Sequence, residues 1–284
     1  MSEVHSSQEY KIIEEALLQP VPDMGGLRER KNGYSELPID TTNPLYSETV
    51  VDLAAYSIAG QGYYSRPNAT TQEAVPGAPT RVYLRKSIAE TLAKINTALS
   101  SQTITTFFGG EVEIYVEDAL RPVYLQTKLH DELIPALLRK NHSELSDGDL
   151  RERIKDIIAV PSSDPQRPSP HATGGAFDVI LRYKQLNPGY VNDSNVPVGH
   201  LDGETSARIN PDYFEQNEPQ TDEDKLARRN RRAYYAIMTG AAFGVDTGLV
   251  NNPTEWWHWG RGDQLSAKLH GDGAAYYSLA ELNK

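Results

Sequence analysis

Cysteine is absent from the 284-residue chain, and that absence removes three chemistries at once. There is no disulfide framework, no thiolate nucleophile and no thiolate-ligated zinc, so any metal has to be held by histidine and carboxylates. Positive charge is also scarce. Lysine and arginine total 28 against 39 aspartates and glutamates, a formal net charge of −11. A chain of that balance is not built to hold a nucleic-acid backbone or an anionic membrane surface, since both reward clustered Lys and Arg. No apolar run approaches the ~20 residues that a membrane span needs. The opening "MSEVHSSQEYKIIEEALLQP" lacks the basic start, apolar stretch and small-residue cleavage site of a secretory signal, so a cytoplasmic location is the expectation. What remains is an acidic chain with 38% hydrophobic residues, enough to bury a substantial core.

Residues 1–45 mix a short amphipathic stretch with Pro- and Gly-rich text and read as an arm or cap on a single domain spanning 46–284. Ile88, Leu92, Ile95 and Leu99 recur at helical spacing after a short strand-like "RVYL". In "VEIYVED", Val112, Ile114 and Val116 alternate with Glu113, Tyr115 and Glu117, the pattern of a half-buried strand. Leu125, Leu129, Leu133 and Leu137 then follow one side of a helix that Pro135 should kink or end. Enlarged loops are expected near 139–170 and 185–222; the first ends in prolines 161, 165, 168 and 170, a stiff segment that delivers His171. A strand is expected at about 176–183, and a helix at about 222–242 with acids first and "RRNRR" in mid-course as a solvated face. Strands mixed with unevenly spaced helices, and no internal repeat, give an α+β class.

Three short stretches carry chemistry. In "SPHATGGAFDVIL", His171 precedes Asp178 by seven positions. On one continuous strand they would face opposite sides, but Gly174 and Gly175 allow a turn that brings the imidazole back over the strand. A loop histidine beside a strand-edge aspartate, with no metal, is the alternative. In "EWWHW", Glu255 and His258 stand three apart among the chain's three tryptophans. That suits a metal ligand with an uncoordinated base beside it; an aromatic core segment with a satisfied histidine is the other reading. In "EDALRP", Arg121 sits at a strand exit, either paired with Asp118 on the surface or aimed at developing negative charge.

Taken together, S-x-H-x6-D, E-x-W-H about 80 residues later and a preceding D-x-x-R-P resemble the zinc D-alanyl-D-alanine dipeptidases, the type associated with vancomycin resistance. These are D,D-peptidases whose metal-binding fold also occurs in the hedgehog signalling domain. The matching pieces run from about Val112 to Asp263. The resemblance implies a mainly antiparallel central sheet flanked by helices and one zinc ion held by His171, Asp178 and His258. It implies Glu255 as general base, Arg121 as the group stabilising the transition state and Ser169 as a contact for the substrate's amino end. Asp202, in "VGHLDGE", stands near the place of a family residue that binds the substrate ammonium, and His200 beside it is a competing ligand. The substrate implied is a small D,D-dipeptide, with no nucleic acid or membrane as partner. Carboxypeptidase action on soluble wall precursors or muropeptides, and a non-catalytic zinc-stabilised binding protein, are the alternatives.

Overall fold

The computed structural model describes residues 2–68, 70–184, 195–198 and 206–282. Among them the strands are β1 (Val50–Asp52), β2 (Ala59–Gly60), β3 (Tyr83–Arg85), β4 (Val112–Asp118), β5 (Ala176–Tyr183), β6 (Val250–Asn251) and β7 (His258–Gly260). The helices are α1 (Ser2–Leu17), α2 (Gly25–Arg30), α3 (Lys86–Ala98), α4 (Gln102–Phe108), α5 (Val123–Lys128), α6 (Ile134–Asn141), α7 (Asp147–Ile157), α8 (Tyr213–Gln216), α9 (Asp222–Thr239) and α10 (Gln264–His270). The class is α+β. No described helix is long and apolar enough to cross a membrane.

Strands β1 and β3 pair antiparallel, Val51 opposite Leu84. The other five form a mixed sheet in the order β2-β4-β5-β7-β6. Its register is set by a few backbone bonds. Lys184 N donates to Glu111 O at 2.9 Å, which fixes β5 against β4. Val179 N donates to Trp257 O and Arg261 N to Gly175 O, each at 3.0 Å, which fixes β7 antiparallel on the other side of β5. Period-2 geometry then separates the faces. Val112, Ile114 and Val116 of β4, with Phe177 and Val179 of β5, are fully buried at 0% exposure. The opposite face carries the polar residues, where Arg182 Nε meets Glu113 Oε1 at 2.8 Å and lies over the Tyr115 ring at 4.0 Å.

The chain segregates into two compact units, Met1–Asn32 with Glu90–Tyr115 and Val179–Trp259, and Gly33–Ala89 with Val116–Asp178 and Gly260–Lys284. In the first, α9 starts at Thr221, whose Oγ1 caps Asp224 N at 3.0 Å, carries acids in its first turn and stops at Gly240 in the left-handed region. Its arginines are not a solvated face. Arg231 is 3% exposed and donates to Val198 O at 2.7 Å and Asn210 O at 2.8 Å; Arg229 stacks on Phe107; Arg232 pairs with Glu215. Guanidinium groups supply several fixed donors each, so they can cap loop carbonyls from a distant helix. Burial, with Arg208 nearby, brings the Arg231 pKa down to about 9. The N-terminal segment packs here as well: Leu17 and Met24 are fully buried, and Asp212 accepts from Met24 N at 2.9 Å and from Arg28.

In the second unit, Leu125, Leu129, Ile134, Leu138, Leu150 and Ile154 gather α5, α6 and α7 into one apolar cluster with Val75. Pro135 does not end the helix: the backbone stays helical from Val123 to Asn141, and it passes through a π segment at Leu129–Leu133 just before the proline that cannot supply an N–H. Replacing fully buried Ile114 by alanine is expected to cost about 2–5 kcal/mol. Denaturant titration checks it: the midpoint should fall with an unchanged slope.

Candidate metal centre and active site

The stiff Pro-rich segment ends at Ser169, where Pro170–Thr173 make one 3-10 turn closed by Gly174 at φ +67°. That turn is what the glycine pair permits. Gly174 takes the left-handed conformation, and at Gly175 a Cβ would lie 2.9 Å from the Arg261 carbonyl of the neighbouring chain segment. The turn is held from three sides. Arg121 N donates to His171 O at 3.1 Å, Ala280 N to Ala172 O at 2.9 Å, and Arg85 spans Thr173 O through Nε at 2.7 Å and Gly174 O through its backbone N at 3.0 Å.

Within it the His171 ring is fixed by Ala119. Nδ1 lies 2.9 Å from the Ala119 carbonyl, which only accepts, so Nδ1 carries the proton and Nε2 presents its lone pair. Nε2 stands 3.6 Å from Asp178 Oδ1. That is long for a hydrogen bond and close to the ~3.4 Å between ligand atoms that share a tetrahedral zinc with bonds of ~2.0–2.1 Å. The β5–β7 register sets His258 opposite Asp178, and one ligand atom each from His171, Asp178 and His258 lies within 4.8 Å of the others. Two imidazoles and one carboxylate, with no thiolate in the chain, form a donor set suited to catalytic zinc. The three motif residues are therefore brought together, as the spacing argument requires.

Glu255 and His258 are joined by a tight turn rather than a helix. His258 N donates to Glu255 O at 3.1 Å, and Glu255 Oε2 lies 3.7 Å from His258 Nδ1. Asn252 Nδ2 donates to the same Oε2 at 2.8 Å and fixes the carboxylate, while Asn251 Nδ2 donates to the His258 carbonyl at 2.9 Å. These two asparagines were not singled out from the sequence, although "NNP" two residues before the glutamate is a turn signal. The tryptophans form the aromatic core segment that the sequence allowed. Trp259 is fully buried and Trp256 nearly so, each edge-on to Tyr234 at 5.8 Å, and this aromatic packing sets the turn in place.

Arg121 is paired with Asp118, but not on the surface: the two are 6% and 7% exposed. Nε and Nη2 donate to Asp118 Oδ2 at 3.0 and 2.5 Å, and Nη1 donates to Gln126 Oε1 at 2.7 Å. The Tyr64 ring covers the guanidinium at 5.2 Å. Burial works against that charge, but Asp118 and its neighbours outweigh it and raise the Arg121 pKa, so the cation is permanent. A guanidinium has five N–H donors. Three of them are used in these bonds, which leaves two. Gln126, a further residue that the sequence did not expose, also donates to Ala159 O at 2.5 Å and so ties Arg121 to the Pro-rich segment.

Ser169 Oγ is buried with no hydrogen-bond partner among the described residues. Glu117, opposite Asp178 on the polar face of β4, has its carboxyl pKa raised by burial, with Arg66 opposing and Asp178 and Asp118 reinforcing. Asp202 and His200 lie outside the described residues.

No protein-family model matches the chain. It is 32% identical over 188 residues to the D-alanyl-D-alanine dipeptidase of Synechocystis sp., an alignment covering 60% of this chain and 70% of that protein. On that likeness, with His171, Asp178 and His258 gathered in one place, the chain belongs to the D-alanyl-D-alanine dipeptidase family.

Proposed function

We propose that the chain is a zinc-dependent dipeptidase that hydrolyses D-alanyl-D-alanine, or a close D,D-dipeptide, to free D-amino acids. One observation carries the reading: His171, Asp178 and His258 converge, with Glu255 beside the last of them. A zinc ion held by those three side chains would supply Lewis acidity and lower the pKa of a water molecule.

The rest is the work of the chain itself. Glu255 accepts a proton from the attacking water at its carboxylate, held in aim by Asn252. It then delivers that proton to the departing amine nitrogen. As the peptide carbonyl becomes tetrahedral, negative charge builds on its oxygen, and the two spare N–H groups of Arg121 are available to hold it. Because Asp118, Gln126 and Tyr64 fix the guanidinium beforehand, little reorganisation is spent at the moment of reaction. Ser169 offers its unsatisfied hydroxyl to the amino end of the substrate.

Zinc-loaded protein incubated with D-Ala-D-Ala, L-Ala-L-Ala and a pentapeptide ending in D-Ala-D-Ala should release alanine from the first alone. Release from the pentapeptide would make it a carboxypeptidase, and none from any, with zinc bound, a binding protein. Glu255→Ala is expected to keep one zinc per chain while turnover falls by about 10²–10⁴-fold. Activity equal to the parent's would remove the base assignment. His171→Ala should lose zinc as well as turnover, measured by metal analysis after dialysis.

A further inference from the structure

A dipeptide carries two charges besides its scissile bond, an ammonium and a carboxylate. Arg121 already faces the oxyanion in the proposed peptidase reading, on which the following rests, so the carboxylate needs another cation. We propose that Arg66 is that cation: a specificity-determining residue that binds the free α-carboxylate of the substrate's C-terminal residue.

The placement follows from strand register. Lys184 N to Glu111 O sets β5 against β4 so that Glu117 lies directly opposite Asp178, both on the polar face of the sheet. Glu117 therefore stands one strand away from the metal-ligand candidate, about 4.8 Å across the sheet. Arg66 reaches the same spot from the loop before β3, its Nη2 lying 3.4 Å from Glu117 Oε1. One residue of extended chain, about 3.5 Å, separates a scissile carbonyl from the terminal carboxylate of the next residue. The two lengths are comparable, so a carboxylate just beyond the reacting carbon comes within range of this guanidinium.

The state of Arg66 points to an anion rather than to a finished ion pair. Its contact with Glu117 is long and single, and its Nε is buried with no hydrogen-bond partner among the described residues. A buried N–H without an acceptor is costly, and a carboxylate is the ligand that a guanidinium edge takes with two parallel bonds. The side chain as a whole is 37% exposed, through atoms other than Nε, so an anion can approach the guanidinium from that side. Its loop is also built to hold position. Asn68 Nδ2 donates to Tyr63 O, Arg66 O and Thr71 Oγ1, and Asn68 Oδ1 accepts from Thr70 N and Thr71 N, all between 2.8 and 3.1 Å. Of the nearby acids, Asp118 is committed to Arg121, and Asp178 stands with the two histidines. Glu117 is left to orient Arg66.

The test compares D-Ala-D-Ala with its C-terminal amide, which keeps the scissile bond and removes the charge. The parent protein should prefer the acid by about 10-fold or more in kcat/KM, and Arg66→Gln should raise KM for the acid by a similar factor with kcat nearly unchanged. The amide should be turned over equally by both, and Arg66→Lys should recover part of the preference for the acid. A purely structural arginine would change both substrates together; that result, or no change in either, overturns the assignment. Calorimetry on Glu255→Ala protein, which should bind without turnover, separates the two levels of failure. No binding of D-Ala-D-Ala there removes the peptidase reading and this proposal with it. Binding with acid-to-amide discrimination unaltered by adding Arg66→Gln removes this proposal alone. A rise in KM for acid and amide alike in Glu117→Gln, with Arg66→Gln silent, would reassign the pair to the substrate's ammonium and likewise overturn it.

Discussion

Everything at the site depends on the alignment of β5 with the strands beside it. A sheet has a side-chain period of two, so a slip of one residue would turn Asp178 into the core and expose Val179 in its place. The fully buried face formed by Val112, Ile114, Val116, Phe177 and Val179 forbids that slip, because it would drive those side chains into water. The hydrophobic side of the sheet thus fixes the geometry of the polar side. Glu117, Asp178 and His258 share a face because their neighbours in sequence share the other.

A second constraint is electrostatic. Asp118 and Arg121 are removed from solvent together, and a buried pair of this kind is a weak source of net stability because desolvation offsets most of the attraction. Its value lies in orientation. The carboxylate takes one edge of the guanidinium and Gln126 takes part of another, leaving a defined set of donors unsatisfied. In the proposed reaction, the same burial would make this arginine a strong partner for charge that appears only in the transition state.

Much of this was legible in the sequence. Alternation located β4, the proline cluster located the segment ending at His171, and the glycine pair explained how two residues of opposite parity meet. The helix with "RRNRR" was found, but its burial was misread, since a run of arginines looks the same whether it faces water or caps the carbonyls of distant loops. Pro135 was expected to kink or end its helix; the helix continues through a π segment instead, which leaves no trace in composition. Asn252, Gln126 and Tyr64 escaped for a related reason. Each acts by supporting another residue, and partners such as Tyr64 and Arg121 are joined only by the fold.

The turn bearing His171 leans on residues from distant parts of the chain: Arg85 before it, and Ala280 more than a hundred positions after it. Chains are made from the N-terminus, and domains generally fold as units. On the ribosome, this histidine emerges long before the last of its braces exists. Completion of this turn therefore waits for Ala280, more than a hundred residues after the histidine has been made.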